Sequence, residues 1–382
     1  MSPETSELEI RRATSLDLPA IEVFLGDSYG AAAAYKNSER WIWQFCNAPG
    51  KPQGDSAPSV WIACEGSRVV GQIAVQDARA WFAGRQIDAG WIVDVMILPA
   101  FRGRGLGHLI HAAVVKDRAT VVTLTMAPAT RRMAERAACV TLGPTSQFIR
   151  PHAVSARTVC RYLSHKIDSG TRYRRLFAFL RRVAAGPYIL AAVARLSVAV
   201  RQLFRRRSSC LSRCEMTEVD RFDAGYDQFW QALRPRFPAI HDRSADSLNW
   251  RFSECPGLTY RKFILRRDGD ISGVVITRTC EATELPAGII ADILCDPEDA
   301  GTLDALIELA QTTLNPVCEY LEAAASTPQY CAALQRAGFT AVRTMRPTVV
   351  CDNARLKADI EKSAQGWHFT KGDHDWDQIH PV

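Results

Sequence analysis

The sequence predicts an α/β protein made of two related domains in tandem, each with a mixed central sheet flanked by helices, joined by a basic helical connector. Three observations predict it. A strand, a glycine-rich loop and a helix follow one another over residues 90–117, several motifs of the first half recur in order in the second, and positive charge is concentrated between the halves. The 382 residues, 47% hydrophobic, are enough for two or three domains of ordinary size.

The first observation starts with the apolar, β-branched run Gly90–Leu98, which reads as a buried strand. Pro99 ends it, because proline has no N–H to give to a ladder. Arg102-Gly103-Arg104-Gly105-Leu106-Gly107 then turns the chain into a helix, where Leu106, Leu109, Ile110, Ala113 and Val114 recur at helical spacing. Glycines let the backbone approach a ligand, the first-turn N–H groups point at it, and the arginines add positive charge. The loop has no Gly-Lys-Ser/Thr ending and no Gly-x-Gly-x-x-Gly fingerprint, which excludes two common nucleotide sites.

The second observation is the repeat. Gly90-x-Ile92-x-Asp94 with Pro99 recurs as Gly288-x-Ile290-x-Asp292 with Pro297. Trp43-x-Phe45 with Pro49-Gly50 recurs as Trp250-x-Phe252 with Pro256-Gly257, Gly66…Gly71 with its strand recurs as Gly269…Gly273, and Pro128 matches Pro328. The expected division is a domain at 1–155, a connector at 156–214, a second domain at 215–350 and an aromatic, acidic extension at 351–382. After Pro297 the second copy reads Glu298-Asp299-Ala300-Gly301, so acidic residues stand where a phosphate would need positive charge.

Local patterns fill in the elements. Glu9–Thr14 reads as a first strand, with Ser15 capping the helix after it. Strands are expected at Val60–Cys64, Val69–Gln76 and Val121–Met126, a helix at Thr130–Ala138, and a strand closing the first sheet around Phe148-Ile149. Twelve cysteines with no Cys-x-x-Cys pair indicate neither a zinc site nor a disulfide framework, and the polar start Met1–Glu7 shows no signal-peptide pattern. A reducing cytoplasm is the expected compartment.

The third observation is charge. Residues 160–210 hold twelve Lys/Arg and one acid, Asp168, a balance of +11 in a chain of net charge +6. Within them, residues 176–201 read as a helical pair broken at Gly186-Pro187. Its longest uncharged run, Val183–Ala194, is twelve residues, short of the ~20 that a spanning helix needs. One reading is a membrane-peripheral helix that contacts an anionic surface or a lipid-linked acceptor; the other is a linker helix with its arginines in solvent. No recognition-helix pattern supports nucleic acid. The tail Gln365–Asp377, with two tryptophans, is expected to fold back on the body, and its alternating aspartates lack the later ligands of a calcium loop.

Arg102-x-x-Gly105-x-Gly107 after Ile97-Leu98-Pro99, with the opening Ile10-Arg11-x-Ala13 and Asp17-Leu18-Pro19, resembles the GCN5-related N-acetyltransferases, the GNAT family. The resemblance is strong in the first domain and weak in the second, like tandem members with one degenerate domain. It implies acyl transfer from acetyl-CoA, or another acyl-CoA, to a small-molecule primary amine, with no metal. The implied coenzyme residues are Met96, Ile97 and Leu98 on the strand edge and Arg102, Gly103, Arg104, Gly105, Leu106, Gly107 and His108 on the loop and helix start. Asp94 is the candidate base, and a structural carboxylate is the competing role, since Asp292 is its twin. The family's tyrosine acid on the helix after the fifth strand has no counterpart in Thr130–Arg136. That gap leaves a non-catalytic acyl-CoA sensor or scaffold as the alternative. A looser likeness, through Trp-x-Phe, to acetyltransferases of polysaccharide and envelope synthesis points to an amino sugar or a related precursor as acceptor.

Overall fold

The computed structural model describes residues 8–30, 36–124, 127–168, 173–183, 185–203, 214–280 and 287–378. The first half forms β1 (Leu8–Arg12), α1 (Leu18–Tyr29), α2 (Ser38–Phe45), β2 (Val60–Glu65), β3 (Arg68–Gln76), β4 (Arg79–Phe82), β5 (Arg85–Asp88) and β6 (Gly90–Ile97). It continues with α3 (Leu106–Asp117), β7 (Thr120–Thr123), α4 (Pro128–Arg136), β8 (Val140–Thr141) and β9 (Thr145–Pro151). The connector forms α5 (Ala156–Asp168), α6 (Arg174–Arg182) and α7 (Gly186–Leu203). The second half forms β10 (Cys214–Val219), α8 (Ala224–Leu233), β11 (Ala239–His241), α9 (Ala245–Phe252), β12 (Arg261–Arg267), β13 (Asp270–Cys280) and β14 (Ala287–Cys295). After it come α10 (Ala300–Leu314), β15 (Tyr320–Ala325), α11 (Pro328–Arg336), β16 (Thr340–Met345), β17 (Thr348–Cys351), α12 (Ala354–Lys362) and β18 (Trp367–His368).

Two seven-stranded sheets have matching orders, β1-β2-β3-β6-β7-β17-β8 and β10-β12-β13-β14-β15-β9-β16. The repeat read in the sequence is therefore a repeat of architecture. Pro128 and Pro328 each stand in the first turn of a nine-residue helix, where a missing N–H costs nothing. The sixth position of each sheet is exchanged. β17 pairs antiparallel with β7 in the first sheet, and β9 pairs antiparallel with β15 in the second, from Tyr320↔Pro151 to Ala325↔Ser146.

The exchange corrects one expectation: the strand around Phe148-Ile149 belongs to the second sheet, between β15 and β16, because periodicity assigns a strand but not its partner. It also makes the compact units discontinuous, in place of the linear division at 155, 214 and 350. One unit comprises 1–144, 237–258 and 345–368; the other comprises 145–236, 259–344 and 369–382. Two local details also differ. Thr14, not Ser15, forms the first cap, its N–H and hydroxyl both bonded to Asp17, and β7 ends at Thr123, with 125–126 outside the described residues.

In the first unit the duplicated tryptophans meet. Trp43 of α2 and Trp250 of α9 stack with ring centroids 4.5 Å apart. Each indole N–H donates to the other's backbone carbonyl, at 3.0 and 3.3 Å. Both are buried, so Trp-x-Phe is a core motif in which each copy satisfies the other's polar handle. A smaller sheet, β18-β11-β4-β5, completes this unit.

Candidate active site

The candidate site of the first unit is organised by β6. Its N-terminal half is buried, while residues from Asp94 to Ile97 are partly exposed. On one edge it pairs with β3, where Gln72↔Met96 is followed by Ala74↔Val93, so that Asp94 and Val95 face the single residue Ile73. This is a β-bulge. On the other edge the parallel pairing with β7 covers Gly90↔Val121 and Trp91↔Val122. Beyond Trp91 the two strands part.

At the bulge Asp94 takes the left-handed conformation, φ +51°. Outside glycine this region is costly, though aspartate tolerates it better than most residues. Its carboxylate accepts a hydrogen bond from the Tyr29 hydroxyl, at the end of α1, at 2.9 Å. The Lys36 ammonium bonds to the same oxygen and sits 5.1 Å from the centre of the Tyr29 ring. The Lys36 and Asp94 side chains are 7% and 6% exposed, so the pair is held out of water. Tyr29 and Lys36 were not singled out from the sequence. Lys36 follows residues with no periodic pattern, and only the fold brings either residue to β6.

The loop after β6 keeps the features of an anion site. Gly103 and Gly105 have φ +79° and +81°, a backbone that residues with a Cβ rarely adopt. No side chain caps α3, whose first turn contains no acid. At Gly107 a Cβ would lie 2.9 Å from the Met133 sulfur, so glycine lets α4 pack on the start of α3. Arg102 and Arg104 are exposed; Arg102 donates through Nε to the Ile97 carbonyl at 2.9 Å, and Arg104 lies over the Phe101 ring at 5.0 Å. Met96 and Ile97 belong to the partly exposed half of β6. Leu98 differs from them: it lies just past the strand, buried, with its N–H bonded to the Val70 carbonyl at 2.9 Å. Leu106 is buried on α3, while His108 is exposed on the first turn. His111, a turn later, is buried; burial, helped by nearby His108, holds its imidazole below the usual range. No group of residues with the makings of a metal site occurs among the described residues.

The same places in the second unit are filled by the protein itself. β14 pairs with β15 from Ala287↔Tyr320 to Ile289↔Glu322. At its irregularity Ile276↔Asp292 is followed by Thr277↔Ile290, which leaves Ala291 as the extra residue. The Ala291 carbonyl accepts the N–H of Gly372, and Thr370 bridges to Ala325. Lys371 reaches Glu322 at 2.5 Å, both fully buried, and Asp377 accepts from Tyr260 at 2.6 Å. The extension thus folds back on the body, into the opening between β14 and β15. The helix start is occupied too, since Asp299 accepts from the N–H and hydroxyl of Thr302 at 2.9 and 2.8 Å. Burial pushes the Asp299 carboxyl up, but Thr302 and the Arg267 guanidinium outweigh it and hold it below the ordinary carboxylate value. The tyrosine missing from α4 has a counterpart on α11, Tyr330. It is fully buried, and its hydroxyl bonds the backbone of Cys295 at the end of β14.

Residues 20–130, which include β6, the bulge and the loop, match the family model described as Acetyltransferase (GNAT) family. The first repeat is a GNAT domain. No curated protein matches the chain. Among solved structures, the GCN5-related N-acetyltransferase from Anabaena variabilis is similar at 12% identity and a TM-score of 0.56, covering 92% of this chain and 74% of that one. Saccharomyces cerevisiae N-myristoyltransferase with bound myristoyl-CoA is similar at 12% identity and a TM-score of 0.55, covering 91% and 80%. A putative acetyltransferase from Pyrococcus horikoshii is similar at 11% identity and a TM-score of 0.52, covering 96% and 94%. At such identities these likenesses establish the fold, two GNAT-like α/β halves in one chain. Acyl transfer is the activity class of the GNAT family that the first repeat matches.

Proposed function

We propose that the first repeat transfers an acyl group from acetyl-CoA, or another acyl-CoA, to a primary amine. The observation that carries this reading is the strand that parts from its neighbour beyond Trp91 and runs into a helix start with no capping side chain. The backbone of Gly103–Gly107 and the charges of Arg102 and Arg104 suit a pyrophosphate, since such a helix start favours an anion. The free edge of Met96 and Ile97 suits an extended amide arm, with His108 beside the phosphates. An N–H on that edge would stabilise the oxyanion formed at the thioester, and positioning supplies much of the rest.

Asp94 is the proposed amine-handling residue. One of its oxygens holds the Lys36 ammonium and the Tyr29 hydroxyl, and the second oxygen is the one proposed to meet the ammonium of an acceptor and the proton that must leave it before attack. The Trp-x-Phe motifs are core features of the first unit, so they give no support to an amino-sugar acceptor; the acceptor proposed is a primary amine, with amino sugars and envelope precursors as the first class to test.

The test is thiol release from acetyl-CoA with a panel of aminosugars, polyamines and peptides. Turnover with one class is the expected result. Tight acetyl-CoA binding without turnover on any amine would replace the enzyme with an acyl-CoA sensor or scaffold.

A further inference from the structure

The connector helices present an apolar face to solvent. Leu163 of α5 and Ala191 of α7 are buried, and Arg195 of α7 is tied through Nε to the Val154 carbonyl at 3.0 Å. The opposite faces are bare. On α6 no residue is buried, and Leu176 and Phe179 are 52% and 64% exposed. On α7 Ile189, Val193 and Leu196 form a stripe at helical spacing, each 58–64% exposed. A linker packed on its neighbours would have buried these side chains. Scattered single apolar residues on a surface need no explanation, but a concentration of them marks an interaction face.

The charge around this face decides what it suits. From Ser169 to Cys214 the sequence has eleven arginines and no acidic residue. Arg174, Arg175, Arg181 and Arg182 are all exposed on α6; by helical spacing Arg175 and Arg182 lie beside Leu176 and Phe179, while Arg181 donates to the Ser164 hydroxyl of α5 at 3.1 Å. A protein partner's apolar groove would leave these charges to be matched one by one, whereas a lipid surface offers a continuous sheet of negative charge over an apolar layer. Among the described residues no single helix is long and apolar enough to cross a membrane, and the pair α6 and α7 is bent by 103°. With nine residues, α6 is about 14 Å long, under half of a hydrocarbon core.

We propose that α6 and α7 form a docking face for an anionic bilayer, with Leu176, Phe179, Ile189, Val193 and Leu196 entering the interface and the arginines meeting the headgroups. The protein is held at the membrane face, not across it.

The experiment is co-sedimentation of the full-length protein with vesicles of phosphatidylcholine alone and with 30 mol% phosphatidylglycerol (about that fraction being ample for a negative surface). Binding to the anionic vesicles, weakened by salt, is expected. Arg175→Gln with Arg182→Gln should lower the partition by about tenfold or more, since each arginine near such a surface contributes about fivefold. Phe179→Ser with Ile189→Ser should also lower it, while leaving thermal unfolding unchanged because both side chains are already in water. No binding to anionic vesicles at low salt would overturn the proposal. So would binding untouched by the apolar substitutions, or a stronger preference for duplex DNA over anionic vesicles, which would make the patch a nucleic-acid surface. Because vesicle binding is read without turnover, its failure leaves the acyltransfer reading standing, and the reverse also holds.

Discussion

β6 and β14 occupy the same position in sheets of the same order, start from the same Gly-x-Ile-x-Asp motif, and lead to opposite ends. β6 parts from β7 and leaves its edge open, with a strained aspartate at the bulge and an uncapped helix start below it. β14 parts from β15 at the same point, but Gly372, Thr370 and Lys371 fill the opening and Asp299 caps the helix start. The bulge is shifted along the strand, at Asp94 and Val95 in one copy and at Ala291, the counterpart of Val93, in the other. What the comparison teaches is that the parted strands belong to the architecture. The copies differ in what each leaves unfilled.

It also changes the standing of Asp94. Its sequence twin Asp292 argued for a structural role common to both domains. In the structure Asp94 takes a positive φ, which Asp292 does not, and its carboxylate holds an ammonium and a phenol. Local strain of this kind persists at sites where the surroundings hold it in place.

The largest effect should come from separating the twins. Asp94→Asn keeps the shape and tolerates the left-handed backbone, and should lower turnover by about 10²- to 10⁴-fold, the range of a lost general base. Asp292→Asn, measured per folded molecule, should change turnover little. Equal losses in steady-state assays of the two variants would return Asp94 to a purely structural role.

A smaller effect is expected where the tail closes the second unit. Lys371→Met leaves Glu322 buried without its ion pair, which should cost about 3–5 kcal/mol in denaturant unfolding. Adding Glu322→Gln should recover much of that loss. A single variant as stable as the parent would mean that the tail does not hold the opening shut.

The smallest effect concerns the helix cap. Asp299→Ala should cost about 1 kcal/mol at neutral pH, the usual worth of such a cap. The Asp299 carboxyl is held below its ordinary value of 3.8, so its contribution is complete above that pH and is lost as pH falls through the depressed folded value. Urea midpoints of parent and variant should therefore converge below pH 3.8 and stay apart above it. A gap independent of pH would mean that the carboxylate does not cap α10.

Much of this was legible in the sequence. The repeat, the glycine loop and its degenerate partner lie in short, contiguous motifs whose chemistry is local, and the break before Gly186-Pro187 follows from backbone preference alone. The exchange of β9 and β17 was not legible, because a strand's residues specify its faces and not its neighbour. Tyr29 and Lys36 were missed for a related reason: they reach Asp94 across 65 and 58 positions of sequence. The tail was expected to fold back, but its destination depends on Lys371 meeting Glu322, a pairing that no spacing announces.

The claim that one copy holds the coenzyme and the other is filled can be tested by titrating the protein with acetyl-CoA in a calorimeter. One site per chain is expected, with affinity lowered about 10- to 100-fold when Arg102 and Arg104 are both changed to alanine, as the loss of charge-assisted hydrogen bonds implies. Two sites per chain, or one site indifferent to both arginines, would contradict it.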